Sequence, residues 1–145
     1  MSNHSAHSAH SAMTLWLERF VAQYGGVAGT VHQRTTADEL ELVAALNIPP
    51  TVQEIVRRVP RGKGMAGLAF EQNEPISTCN IKDDNTGRVR PGAKAVDAKA
   101  AVTLPVRDGQ GNVRAVVGIA FPEEREVLES EMVALGESAA TPPMA

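Results

Sequence analysis

Cysteine is almost absent from this chain. Cys79 is the only one in 145 residues, so no internal disulfide can form, and a reducing compartment is the simple expectation. Aromatics are also scarce, at 3% of residues, so any core must be built from Val, Leu, Ile and Ala. A strong excess of either charge is missing as well. Fourteen basic residues face 17 acidic ones, a net charge of -3, and this near-balance argues against a nucleic-acid partner. No apolar run approaches the roughly 20 residues of a membrane helix. The first residues lack the apolar centre of a signal peptide. A cytoplasmic, bacterial-type protein with no membrane association is expected.

What the chain does have is 43% hydrophobic residues and a length suited to one domain. Residues 1–12, MSNHSAHSAHSA, are polar and repetitive, and read as a disordered tail. His4, His7 and His10 recur every third residue, a pattern compatible with metal binding but more in keeping with a solvated tail. A single domain is expected over 13–138, with residues 139–145 a flexible end.

Leu17, Phe20, Val21 and Tyr24 share a helical face, closed by Gly25-Gly26. Val27 to Gln33 fits a short strand. Leu40, Leu42, Ala44 and Leu46 alternate as in a half-buried strand. Pro49-Pro50 opens a helix whose stripe is Ile48, Val52, Ile55, Val56 and Val59, with Thr51 and Glu54 at capping-box spacing. Pro60 and Gly62 stop it. Gly64 to Gln72 is a second short helix, followed by extended chain over 75–79. Residues 80–99 form a long polar loop, the kind that usually serves function. Two strands follow, one with Val102, Leu104 and Val106 in phase, the other with Val113, Ala115, Val117, Ile119 and Phe121. Asp108 to Asn112 between them has hairpin chemistry. A last helix is expected from about Glu123, with Val127, Leu128, Met132 and Leu135 on one face. This order predicts an α+β fold. Terminal helices cover one face of an antiparallel sheet, and short helices with the long loop cover the other.

GKGMAGLAFEQNEPIST, from Gly62 to Thr78, resembles the glycine-led helix and following strand of GAF domains. AAVTLPVRDGQGNVRAVVGIAF, from Ala100 to Phe121, resembles their closing hairpin. The likeness spans roughly residues 14 to 135. It implies a GAF-like central antiparallel sheet with a ligand pocket, in a family of sensors for cyclic nucleotides, tetrapyrroles, haem, small acids or anions. Some members only dimerise.

Within that family the methionine-(R)-sulfoxide reductase branch needs a nucleophilic and a resolving cysteine. Those positions here read Ala66 and the neighbourhood of Val96, and Cys79 stands elsewhere. The bilin branch needs a loop cysteine, and residues 80–99 hold neither Cys nor His. For haem, His32 is the single histidine outside the tail. The cyclic-nucleotide signature is not matched. No Ser-His-Asp or Cys-His set and no metal cluster can be placed, so the expectation is a non-enzyme without cofactor or metal.

The remaining reading is a pocket for a small anion or polar metabolite. A glycine-led helix start presents amides without intrahelical acceptors and the positive end of the helix dipole. This resembles nitrate-binding GAF sensors, and the resemblance implies amide donation by Leu68 and Ala69, within a turn that includes Met65, Ala66 and Gly67. It implies an apolar wall of Leu46 and Ile48, and a lid of Val96, Asp97 and Ala98. Arg90, held by Pro91-Gly92, would add positive charge to that loop. Cys79 reads as a small packing residue rather than a redox sensor. Output would pass through a partner protein, or through a homodimer formed by the terminal helices, where Trp16 lies partly off the apolar face.

Overall fold

The structure, a computed structural model, describes residues 2–79, 81 and 98–143, with side chains from residue 12 onward. Its elements are α1 (Ser2–Gln23), β1 (Ala28–Arg34), β2 (Leu40–Leu46), α2 (Pro50–Ile55) and β3 (Arg58–Val59). Then come α3 (Gly64–Gln72), β4 (Ile76–Thr78), β5 (Ala100–Arg107), β6 (Val113–Phe121) and α4 (Glu129–Ala139). The strands form one six-stranded sheet in the order β3-β2-β1-β6-β5-β4, and every pairing is antiparallel. The expected α+β class and the two helical layers hold, and most of the long loop expected over 80–99 lies outside the described residues.

One face is covered by α1 and α4. Met13, Leu17, Phe20 and Val21 of α1 and Leu135 and Ala139 of α4 pack on Val31, Val102, Leu104, Ala115, Val117 and Phe121. Along α1, Trp16 stacks on Phe20 and Phe20 meets Tyr24 at a tilt, with ring centroids 5.4 and 5.5 Å apart. The Tyr24 hydroxyl donates to the Ala134 carbonyl at 3.2 Å and bonds Ser138, tying the two helices. At its C-terminus α1 ends on Gly25 at φ 72°, with the Gly26 amide donating back to Val21.

The other face carries α2 and α3. Phe70 and Ala69 of α3 sit on Leu40, Val59, Ile76, Val113 and Val116. Val52 of α2 meets Ala28, Ala120, Ile81 and Ala98.

Several element boundaries differ from the sequence reading. The first helix begins at Ser2, through the stretch expected as a tail. Ala6, Ala9 and Ala12 are strong helix formers, and extension from an already packed turn needs no new nucleus. Ala139 belongs to the core rather than to a loose end. The second helix stops at Ile55, and Arg58–Val59 turns out as the edge strand β3 on Glu41 and Leu40. The Leu42 amide reaches the Arg57 carbonyl at 2.9 Å, so ladder bonds replace the last helical turn. Ile55 is therefore exposed rather than part of a buried stripe. The last helix starts at Glu129, and residues 122–128 before it form neither helix nor strand. The Arg125 amide donates to Cys79, and its guanidinium lies 4.5 Å over the Phe121 ring and pairs with Glu131.

Two bulges also break expected phases. The β1–β2 register slips between Val31 and His32, so Leu40 packs with α3 while Ala44 packs with α1. A slip between Val106 and Arg107 puts Val113 on the α3 side, opposite to Ala115.

Candidate functional site

Alternation along the strands sends Ala28, Thr30 and His32 of β1 to the α2/α3 face. On β5 the same face receives Ala101 and Thr103, and on β6 Gly118 and Ala120. The ladder aligns Thr30 with Gly118 and Gly118 with Thr103, a row of small residues across three strands. Gly118 keeps that row low. A Cβ there would come within 2.7 Å of Thr30 Oγ1.

Above this floor, α2 and α3 do not close. A cavity of about 140 Å³ remains beneath them. Ile48, Val52, Val56 and Val59 form the roof on the α2 side. Lys63, Gly64, Met65 and Ala66 border it at the start of α3, and Ile81 closes one flank.

Two polar links hold the roof at this height. His32, only 2% exposed, donates from Nε2 to the Val56 carbonyl at 2.8 Å, just past the end of α2. Thr103 donates from Oγ1 to the Met65 carbonyl at 3.0 Å, in the first turn of α3. Asn47, at φ 56°, anchors the approach to α2 by donating from Nδ2 to Val27 at 2.8 Å.

The start of α3 is set by glycines. Gly62 and Gly64 have φ of 78° and 69°, angles that side-chain-bearing residues adopt at a cost. The preceding turn folds back on the helix. The Gly62 amide donates to the Gly67 carbonyl at 2.9 Å, and a Cβ on Gly67 would stand 2.5 Å from the Pro60 carbonyl. Beside this turn, Arg61 grips Asp38 at 2.7 and 2.9 Å and lies 4.0 Å over the Phe70 ring. That guanidinium holds the Asp38 carboxyl below its usual range.

The expected site residues divide into groups. Ile48, Met65 and Ala66 border the cavity, and Ala98 lies in the apolar cluster at its flank. Gly67 faces the Pro60 turn instead. Leu68 and Ala69 pack between α3 and the sheet, a full turn too late in the helix for free amides. The amides that lack helical acceptors belong to Gly64, Met65 and Ala66, which border the cavity. Leu46 packs on the α1 face, because the β1–β2 bulge shifts its phase. Arg90, Val96 and Asp97 lie outside the described residues.

Thr30, His32, Thr103, Gly118, Val52 and Lys63 are among the cavity residues that the sequence reading passed over as site residues. A signal existed for some of them. Thr103 and Gly118 interrupt otherwise apolar strands, and Thr30 and His32 share a strand phase. Among the described residues, no group of three or more His, Cys, Asp or Glu could hold a metal ion. Cys79 is exposed. No helix among the described residues is long and apolar enough to cross a membrane.

Comparison with known proteins gives the same frame. The type II free methionine-R-sulfoxide reductase of Thermoplasma acidophilum superposes with a TM-score of 0.74 at 16% identity, covering 92% of this chain and 89% of that one. The GAF domain of an Acinetobacter phosphoenolpyruvate-protein phosphotransferase gives 0.72 at 15% identity, over 91% and 78%. The corresponding GAF domain from Coxiella burnetii gives 0.71 at 20%, over 95% and 86%. At these identities the likeness is one of fold. A search of curated proteins finds no sequence relative. The model of the GAF domain family matches residues 6–142, and with this sheet and cavity it establishes that the chain belongs to the GAF domain family.

Proposed function

We propose that the protein is a non-enzymatic sensor domain that binds a small anion or polar metabolite and acts through a partner protein. The observation that carries this reading is the hollow itself. Six strands and four helices could have met in a packed core, yet a space of about 140 Å³ persists beside a helix start. A concave, largely apolar hollow that opens to solvent beneath two short helices is the kind of place where small ligands bind. The adjacent amides of Gly64, Met65 and Ala66 offer a ligand hydrogen bonds that need no charged side chain.

The absence of enzymatic activity is part of the proposal. Sulfoxide reduction by thiols forms a sulfenic acid on one cysteine and resolves it with another. Ala66, at the cavity edge, occupies the position that the resemblance gives to a reactive cysteine, and Cys79 is the single thiol in the chain. Incubation with free methionine sulfoxide and a dithiol should give no turnover. Turnover dependent on Cys79 would overturn this part.

Ligand binding is tested by thermal unfolding against nitrate, nitrite, phosphate and small carboxylates. Occupancy at about 100 times Kd stabilises by about 2.7 kcal/mol. A shift with one class supports the sensor reading, and no shift with any of them removes it.

A second reading has its own observation. Leu15 on α1, and Leu128 and Val133 at α4, are 47%, 59% and 57% exposed. Apolar side chains left outside on the terminal helices favour a dimerising module that needs no ligand. Light scattering across a concentration series distinguishes it, since a monomer at every concentration excludes dimerisation.

A further inference from the structure

The cavity wall is chemically lopsided. Ile48, Val52, Val56, Met65, Ala101 and Ala120 present hydrocarbon. Two of the polar side chains on the floor are committed to the roof, while Thr30 keeps its Oγ1 beside Gly118. His32 directs its Nε2 proton to the Val56 carbonyl, and Thr103 directs its hydroxyl proton to the Met65 carbonyl. Among the described residues, the one Lys or Arg side chain that borders the cavity is Lys63, at its rim. Lys63 borders the cavity, is itself exposed, and makes no ion pair with any described residue.

A bare inorganic oxyanion fits such a wall poorly. It would exchange water for hydrocarbon on most of its surface, and that loss is costly. A wholly apolar molecule would leave Lys63 unused. From this distribution we infer that the ligand is a short-chain carboxylate. Its carboxylate meets the Lys63 ammonium at the rim, and its compact branched or aromatic body lies over Gly118. Volume limits the body. A cavity of about 150 Å³ lined by aliphatic and aromatic side chains accepts benzene, and this one measures about 140 Å³. Gly118 sets the depth, because any side chain there would occupy the floor beside Thr30. The inference rests on the sensor reading above and narrows it to one chemical class.

The experiment is titration of the full chain, followed by amide NMR and calorimetry. The probes are isovalerate, benzoate, the neutral amide isovaleramide, sodium nitrate and sodium phosphate. Saturable binding of isovalerate or benzoate, with chemical-shift changes around Thr30, Met65 and Gly118, is the expected result. Isovaleramide should bind about tenfold more weakly, and Lys63→Met should weaken isovalerate about three- to tenfold. Because Lys63 is exposed, that variant folds, and its unfolding curve serves as the control. Ala101→Leu, which fills the floor, should abolish binding. Nitrate or phosphate binding with no response to the carboxylates would overturn the carboxylate assignment while leaving the sensor reading standing. Equal affinity for isovalerate and isovaleramide would overturn the role of Lys63. No binding of any probe would overturn both readings.

Discussion

The two faces of this sheet use the same strands and are finished differently. On the α1/α4 face the packing is sealed. Four of the five aromatic residues, Trp16, Phe20, Tyr24 and Phe121, lie there, and Leu17, Val31, Leu104 and Val117 are fully buried. On the α2/α3 face a single aromatic, Phe70, anchors α3, while α2 has six residues and buries only Val52. The roof there is held by His32 to Val56 and Thr103 to Met65 rather than by bulk. In this chain the packing closes on one side of the sheet, and room is kept on the other.

This contrast orders the expected effects of substitution. Leu17→Ala removes a side chain with no exposed surface from the sealed face. It should cost about 2–5 kcal/mol in denaturant unfolding. A cost under about 1 kcal/mol would mean that the face is not sealed.

Gly67→Ala should cost about 1–3 kcal/mol, although alanine is the better helix former by about 1 kcal/mol. The new Cβ meets the Pro60 carbonyl at 2.5 Å, and the turn that brings Lys63 to the cavity must move. Circular-dichroism melts measure the effect. A neutral or stabilised variant would show that the close approach is not required.

The smallest effect lies at the β5–β6 turn, which touches the end of α3 where the Asn73 side chain donates to the Gly111 carbonyl. Asp108 accepts the Gln110 and Asn112 amides at 2.8 and 3.0 Å, and those bonds hold its carboxyl below the usual value. A depressed folded-state pKa contributes stability at neutral pH. That contribution fades as acid passes the ordinary carboxylate value toward the depressed one. Asp108→Ala should therefore be slightly less stable at neutral pH, and the gap to the native chain should narrow between about pH 5 and pH 2. A gap that stays constant with pH would show that ionisation of Asp108 contributes nothing.

The sequence disclosed local elements better than it disclosed the site. The ends of α3 follow from its glycines and from Asn73, which caps it in the left-handed conformation. The Asp108–Asn112 hairpin follows from turn chemistry. The edge strand β3 was hidden, since Val56 and Val59 continue a helical stripe until β2 supplies ladder partners. The bulges were hidden too, because an extra residue leaves composition unchanged and reverses side-chain phase. The resemblance puts Leu46 in the cavity wall, and the β1–β2 bulge turns it to the opposite face. It also points to Leu68 and Ala69, whereas the α3 amides without helical acceptors are those of Gly64 to Ala66. The floor is harder to foresee. Thr30, Thr103 and Gly118 come from strands far apart in the chain, and only the β1–β6–β5 register aligns them.

Ala100 and Ala101 are neighbours on β5 whose side chains enter opposite faces, the first against Phe121 in the sealed core and the second at the cavity. Denaturant unfolding of Ala100→Leu and Ala101→Leu compares the two faces through the same chemical change. Ala100→Leu should lose about 1–3 kcal/mol from overpacking. Ala101→Leu should stay within about 1 kcal/mol of the native chain or gain stability by filling the hollow. Equal losses in the two variants would contradict the account, because no space would then exist above Gly118 for a ligand to fill.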